Sequence, residues 1–473
     1  MQRIFLVFIT FLHFGVAWAQ APQNSLSKAV NVSVGNSKGS TNFRTEGRAW
    51  TDSFISPDYE ATSGKTFSYL GGKLYNINEK EALFKMDVQG GFAFNAPLLS
   101  YINVSQLYFD IPFEVEGQPK PNALAIGRKK SEWSEVDSRW NLGIWEPVFK
   151  YNPLNPERQG LLGLFLNLPG ENVDLELMGS PFYLPDQGPS FAVNEEGEFE
   201  KGNPWFQRPA DSIKILSETS KVQYNLEKPN ETEVVTQTVY AGRLRAKLGG
   251  LSLQGSYAYK PMNQLPLAYT GTLNISKDRG VVDIKTSVQY HELMGADLKY
   301  ENDIVTVGVS TLHDRPYREA TFKNAEDWNR PTFSEANLIS PYIDLKFAKG
   351  WLLKIQHIDI AGGEVTEVGP LATPNRAPIT KRYPYQQAED VEIGYQGKAL
   401  IQRPWRTSVN YMFSQKNKFD LLKWRGQILL TKKWEVFTEA LMVKADSENL
   451  ERPSDFVEFQ NHDRVLAGVG YVF

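Results

Sequence analysis

From residue 41 onward the sequence keeps returning to a two-residue period, with apolar and water-compatible residues taking turns. In Val234–Lys260, Leu244, Ala246 and Leu248 alternate with Arg243, Arg245 and Lys247. A Gly249-Gly250 step follows, after which Leu251, Leu253, Tyr257 and Tyr259 alternate with Ser252, Gln254, Ser256 and Lys260. The same alternation recurs over 267–276, 282–291, 339–347, 391–397 and 405–414. In a β-strand successive side chains point to opposite faces, so this period makes two-faced strands. Such runs number about twenty, centred near 47, 71, 88, 107, 127, 164, 177, 241, 255, 272, 286, 297, 309, 343, 356, 393, 409, 425, 440 and 468.

The connections sort into two alternating sets. Gly249-Gly250, Lys277–Gly280, Glu301–Asp303, Lys349-Gly350 and Thr431–Lys433 are hairpin turns, while 138–159, 185–230, 316–335, 364–383 and 447–461 are long. A sandwich has no reason to segregate its loops this way. A barrel threaded through a membrane from one side does. Aromatic residues follow the same logic. Trp351, Trp405 and Trp434 open strands after short turns, and Tyr300, Tyr395 and Tyr471 close others. On the opposite side come Tyr257, Tyr259, Tyr269, Tyr290, Tyr411 and Phe413. Two belts of amphipathic rings suit the two headgroup layers. Each apolar row spans about nine to eleven residues, the length of a tilted strand crossing hydrocarbon. Full charges on the polar face require a wet interior, because a packed core could not hold so many.

Composition decides what remains. The first residues combine Arg3, an apolar run Ile4–Val16 and Ala17-Trp18-Ala19, the pattern of a cleaved export leader over 1–19. Residues 20–40 read as a short polar segment and 41–473 as one barrel. The chain has 473 residues and no cysteine, which suits an oxidising compartment and excludes disulfides, thiol nucleophiles and Cys-based zinc sites. Later residues contain no apolar run long enough for a spanning helix, and mean hydropathy is −0.39. A net charge of −4 with interleaved signs gives no reason to expect a nucleic-acid partner.

The chain ends "RVLAGVGYVF", with Val465, Ala467, Val469, Tyr471 and Phe473 in one apolar row. Gly468, Tyr471 and Phe473 match the Gly-x-x-aromatic-x-Phe ending of Gram-negative outer-membrane β-barrels. The usually polar position before the glycine is Ala467. Joined to the leader and the strand count, this ending resembles the porin-like barrel class as an architecture, without singling out a family within it. The resemblance implies an all-β, antiparallel up-and-down transmembrane barrel of 18–20 strands, with short periplasmic turns and long extracellular loops. It implies outer-membrane lipid and the barrel-insertion machinery as partners, small polar solutes as cargo, and leaves homo-oligomerisation open.

Several charge groups sit on polar faces. Arg243, Arg245 and Lys247 either line a pore or bridge to Asp174 and Glu176 on the preceding strand. Arg406, Lys423 and Arg425, with Glu392, Glu435 and Glu439 on flanking strands, either set up a transverse field at a constriction or neutralise one another along the wall. Hairpin geometry puts Glu439 near Arg425. Lys354, Asp283 and Asp344 complete the expected pore-lining set. "GRKKSEWSEVDSRWNLGIWEP" breaks the alternation: Leu124 and Ile126 predict one facing, Lys129 and Ser131 the other. A bulge or a strand leaving the wall accounts for that. The loop beyond it either folds inward and narrows the bore or stays a rigid surface loop. The longest connection, 185–230, is open to three readings: constriction, lid or partner surface.

The histidines are scattered, without nearby ligand-spaced partners, and no phosphate-binding or nucleotide fingerprint is present. No cofactor, metal or enzymatic activity is expected. The sequence therefore predicts a diffusion channel for small hydrophilic solutes. Its rival is a non-conducting barrel that anchors a surface-assembly or export complex through its long loops.

Overall fold

The structure, a computed structural model, describes residues 43–56, 66–76, 84–114, 121–189, 191–194, 196–199, 203–206, 212–215, 218–227, 230–274, 279–317, 330–366, 382–398, 403–446 and 454–473. The expected leader over 1–19 and the polar segment 20–40 lie outside the described residues.

An 18-stranded sheet forms the wall. Its strands are β1 (Phe43–Phe54), β2 (Thr66–Asn76), β3 (Phe84–Ala93), β4 (Tyr101–Phe113), β5 (Asn122–Lys129), β6 (Leu161–Pro169), β7 (Val173–Ser180), β8 (Val239–Leu248) and β9 (Leu251–Pro261). They continue as β10 (Tyr290–Glu301), β11 (Val305–Pro316), β12 (Ala336–Lys346), β13 (Trp351–Gly362), β14 (Gln387–Lys398), β15 (Pro404–Ser414), β16 (Phe419–Leu429), β17 (Trp434–Ala445) and β18 (Arg464–Val472). Each pairs antiparallel with the next. β18 closes on β1, from Glu46↔Val472 to Phe54↔Arg464. Closure leaves no unpaired edge, the condition for a sheet in hydrocarbon.

The outer face is apolar and bare. Leu244, Leu253, Leu298, Val307, Ile339, Ile355 and Ile393 are exposed there, and Leu248 reaches 78%. A continuous greasy band of this kind needs lipid against it. On the turn side Tyr395 packs on Trp351 and Trp405 at 4.8 and 5.3 Å, and Trp434 meets Tyr471 at 4.9 Å. On the loop side Tyr259 stacks on Tyr290 at 5.0 Å, and Tyr411 on Phe413 at 5.3 Å. Both expected belts are present, and the architecture is that of an outer-membrane β-barrel.

Two expected wall strands lie elsewhere. Leu267–Asn274 and Arg279–Thr286 pair with each other and join Ser212–Ile215 and Glu218–Leu226 in a separate four-stranded sheet. Glu218–Leu226 runs parallel to Arg279–Thr286, so two loop-side connections are welded together. Tyr269, Val282 and Ile284 are buried there against Phe199, Val222 and Tyr224. Alternation reports that one face is buried and says nothing about what buries it, protein or lipid. Lys277 and Asp278 of the expected Lys277–Gly280 turn lie outside the described residues, and Tyr269 is a core residue rather than a belt residue.

β5 kinks at Gly127, where φ is +129°, while its ladder to β6 continues to Lys129↔Leu161. A Cβ there would lie 2.4 Å from the Leu107 carbonyl oxygen. This kink turns Arg128, due to face lipid, back into the protein, where it donates to the carbonyls of Gly160 (3.1 Å) and Val104 (2.9 Å). Gly127→Ala is expected to cost about 1–3 kcal/mol, read as a lower urea midpoint of barrel unfolding.

Candidate functional site: the bore and the segment that crosses it

The loop after β5, residues 130–160, folds into the bore. Its short helix α1 (Glu135–Trp140) lies against β11 and β12. The Ser310 hydroxyl accepts from the Val136 N–H at 2.9 Å, and Trp140 Nε1 donates to Ser340 Oγ at 2.9 Å. Arg139 grips Asp344 with two hydrogen bonds of 3.1 and 2.9 Å, the planar fork matching the carboxylate. Across the bore, Tyr151 and Tyr69 share a hydroxyl hydrogen bond of 2.6 Å, and Arg425 donates to Asn155 Oδ1 at 2.6 Å. The segment is thus pinned to opposite walls, which is the inward-folding alternative.

Its own interior explains its rigidity. Trp133 and Trp145 stack at 5.7 Å and are almost fully buried. The Asp137 carboxylate accepts the N–H groups of Ile144 and Trp145 at 2.9 and 3.0 Å, closing the turn after α1. Glu146 accepts the Ser131 N–H at 2.6 Å and pairs with Arg158 at 2.5 Å. Burial pushes the Glu146 carboxyl up to about 7 despite the pull of Arg158, and the Asp137 carboxylate adds to the rise. An acid whose folded pKa is raised favours the folded form at low pH and loses that contribution as pH climbs through the raised value. The segment is therefore expected to become more susceptible to protease as pH rises from about 4.5, the ordinary value, to about 7, and to change little above that. Glu146→Gln, which keeps the Ser131 contact, should flatten the profile.

The inner wall has two zones. Toward the loop side Phe54, Phe67, Leu338, Ile358, Ile360, Phe419, Leu421, Leu441 and Val443 point inward and are buried. Trp205 from the longest connection, Tyr385, Phe456 and Phe459 pack into the same cluster. Over these strands the bore is apolar and packed, where the charged polar faces predicted a wet interior: inward wall residues here are apolar, and loops bring the matching surface. Toward the turn side lies a cavity of about 630 Å³. Its walls carry Arg48, Glu392, Arg406, Arg425, Glu435 and Glu439, and Tyr151, Asn152, Asn155 and Glu157 of the crossing segment bound it.

The expected pore-lining residues divide accordingly. Glu392, Arg406, Arg425, Glu435 and Glu439 line the cavity. Arg425 meets Glu439 at 3.0 Å, as hairpin geometry required. Lys354 pairs with Glu392 at 2.8 Å, and Lys423 lies on the inward row of β16 opposite Asn410 and Leu441. Arg243 bridges Glu176 at 2.7 Å and donates to the Glu132 carbonyl at 2.7 Å. Arg245 pairs with Glu132 at 3.1 Å and Lys247 with Asp174 at 3.4 Å. The bridging alternative thus describes that row, and two of its arginines also hold the root of the crossing segment. Asp344 is occupied by Arg139. Asp283 is a correction: it sits in the outer sheet, accepting from Asn225 Nδ2 at 2.8 Å.

At the C-terminus Tyr471 and Phe473 face outward, 5.1 Å apart. Gly468 faces inward, where a Cβ would strike Phe437 at 2.5 Å and Trp50 at 2.6 Å.

Sequence reasoning missed the seam. Arg464 of β18 pairs with Asp52 of β1 at 2.6 Å and with Glu439 of β17 at 2.5 Å. The charged row Glu46, Arg48 and Asp52 was the available signal. It also missed a sealed cluster at the loop-side end of β9–β11. His291 Nδ1 lies 2.9 Å from Asp314, and Lys260 Nζ lies 3.3 Å from His291 Nε2. Arg382 and Tyr383 each reach the same Asp314 at 2.7 Å. His291 has partners after all, brought from distant strands, yet none of the cluster borders the cavity. Among the described residues no group of three or more His, Asp or Glu could hold a metal ion.

No family model matches the sequence, and no curated protein matches it. Among solved structures the chain is similar to OccAB3 of Acinetobacter baumannii, with 12% identity and a TM-score of 0.43 over 91% of this chain and 99% of that one. It is similar to OpdO of Pseudomonas aeruginosa at 10% identity and TM-score 0.43, covering 91% and 96%. OmpT, an outer membrane protein of Vibrio cholerae, aligns at 10% identity and TM-score 0.36, covering 93% and 100%.

Proposed function

We propose that this barrel is an outer-membrane channel through which small hydrophilic solutes diffuse, with the crossing segment as its constriction. The observation that carries the reading is the cavity of about 630 Å³, walled by charged residues of both signs and bounded by a loop pinned across the bore. Fixed charges at close quarters bias which ions pass. The proposal includes export through a cleaved leader, insertion by the barrel-assembly machinery and the assembly-signal role of Gly468, Tyr471 and Phe473.

Planar-bilayer recordings of the purified chain test it. Discrete opening steps are expected, and Arg406→Ala with Arg425→Ala should shift the zero-current potential in a salt gradient toward cation preference. A membrane that stays silent at all voltages sinks the channel.

One observation favours the scaffold as a second reading. The loop-side half of the bore is packed with Trp205, Tyr385, Phe456 and Phe459, and outside it stands a four-stranded sheet with its own core. Silent bilayers together with a stoichiometric co-purifying protein, lost when 212–226 is excised, would select it.

A further inference from the structure

The turn-side cavity carries more chemistry than a simple constriction requires. One side is aromatic. Trp50 lies parallel to Tyr69 at 5.0 Å, and Tyr101 packs against Tyr151 at 4.6 Å, with Phe149 parallel to Tyr151 at 6.1 Å. All of these border the cavity. The remaining walls are mainly polar, with Leu352, Phe437 and Leu466 among them, and their charges cancel: the lining holds five Lys and Arg and five Asp and Glu. They also cancel locally. Arg464 sits between Asp52 and Glu439, Arg425 lies on Glu439, and Arg48 reaches Glu435 at 3.3 Å.

A small anion would need surplus cations, and a small cation surplus carboxylates. Neither is present. Side-by-side guanidinium donors and carboxylate acceptors instead suit a group that both donates and accepts, which is a hydroxyl. Ring faces opposite them offer a platform for C–H-rich faces of a solute. The volume lies within the range of small-molecule sites. We propose that the cavity binds a neutral polyhydroxylated solute of short-saccharide size, with Trp50 and Tyr101 as platform and Arg48, Arg425, Glu435 and Glu439 as hydroxyl partners. This rests on the channel reading only for how the solute arrives and leaves.

The test uses the full chain, in bilayers and in detergent, with maltotriose, gluconate and glucosamine as neutral, anionic and cationic probes. Maltotriose is expected to interrupt open-channel current and to change tryptophan fluorescence in detergent, with gluconate and glucosamine at least about tenfold weaker, the step expected when buried charges lose their match. Tyr101→Leu removes a ring face while keeping an apolar side chain and Trp50, and should weaken maltotriose by about three- to tenfold in both assays. Heat-modified gel mobility establishes that the variant is folded. If it is not, Gln427→Ala on the polar wall replaces it, with the same expected direction.

Equal affinity for all three probes, or maltotriose binding unmoved by a folded variant, overturns the proposal. Openings without maltotriose binding overturn it while leaving the channel standing. Fluorescence binding without openings overturns the channel and keeps the saccharide site.

Discussion

Excising residues 131–158 and joining Lys130 to Gln159 by a short glycine-serine linker should raise single-channel conductance several-fold and weaken the ion preference set by the wall charges. The excised stretch contains Trp133, Val136, Trp140, Leu142, Ile144, Trp145 and Leu154, all buried within the barrel. The wall does not need it: β5 and β6 pair directly from Ala123↔Asn167 to Lys129↔Leu161, so a tight turn can close the hairpin. Every strand keeps its ladder hydrogen bonds, which hold a barrel closed in lipid. A smaller cut is graded. Arg139→Ala frees Asp344 and one end of α1, and should raise current fluctuations more than mean conductance. An excised variant that folds, inserts and conducts like the parent would remove the crossing segment from the solute path.

Arg464→Ala should lower barrel stability by about 3–5 kcal/mol, because it leaves the buried Asp52 carboxylate without a cation and Glu439 with Arg425 alone. Arg464 and Asp52 have side chains 6% and 4% exposed, at the seam where the last strand meets the first. Glu439 adds the neighbouring strand to the same clamp. The loss is read as the urea midpoint of the folded, fast-migrating band. Charge, rather than packing, is the cause if Asp52→Asn and Glu439→Gln in the same chain restore most of it, since neutral partners lose the burial penalty. A midpoint unchanged by Arg464→Ala alone would mean the seam is held by its backbone ladder without help.

Local rules made much of this protein legible. Strands over Val239–Leu248 and Leu251–Pro261, with Arg243 opposite Ser256 and beside Glu176, follow from the two-residue period and the Gly249-Gly250 turn. The Arg425–Glu439 pair follows from the turn at 430–433 in the same way. Register is set locally in a hairpin, so neighbouring strands could be aligned from the sequence. The broken pattern after Leu124 and Ile126 signalled an irregular strand end there, though not the positive φ of Gly127 that switches the facing within a ladder still intact to Lys129.

Adjacency across long connections had no such signal. The sequence by itself determined a closed two-faced sheet, its threading, its aromatic belts and the charges on its inner rows, because these depend on alternation and turn length. Only the tertiary structure decided that 267–286 leaves the wall for a separate sheet, that 130–160 crosses the bore, and that Arg464, Asp52 and Glu439 meet at the seam. The physical reason is that burial is not labelled by its agent. An apolar row looks the same against acyl chains, against a second sheet or beneath a loop, and a charge looks the same facing water or facing its opposite from a strand four hundred residues away.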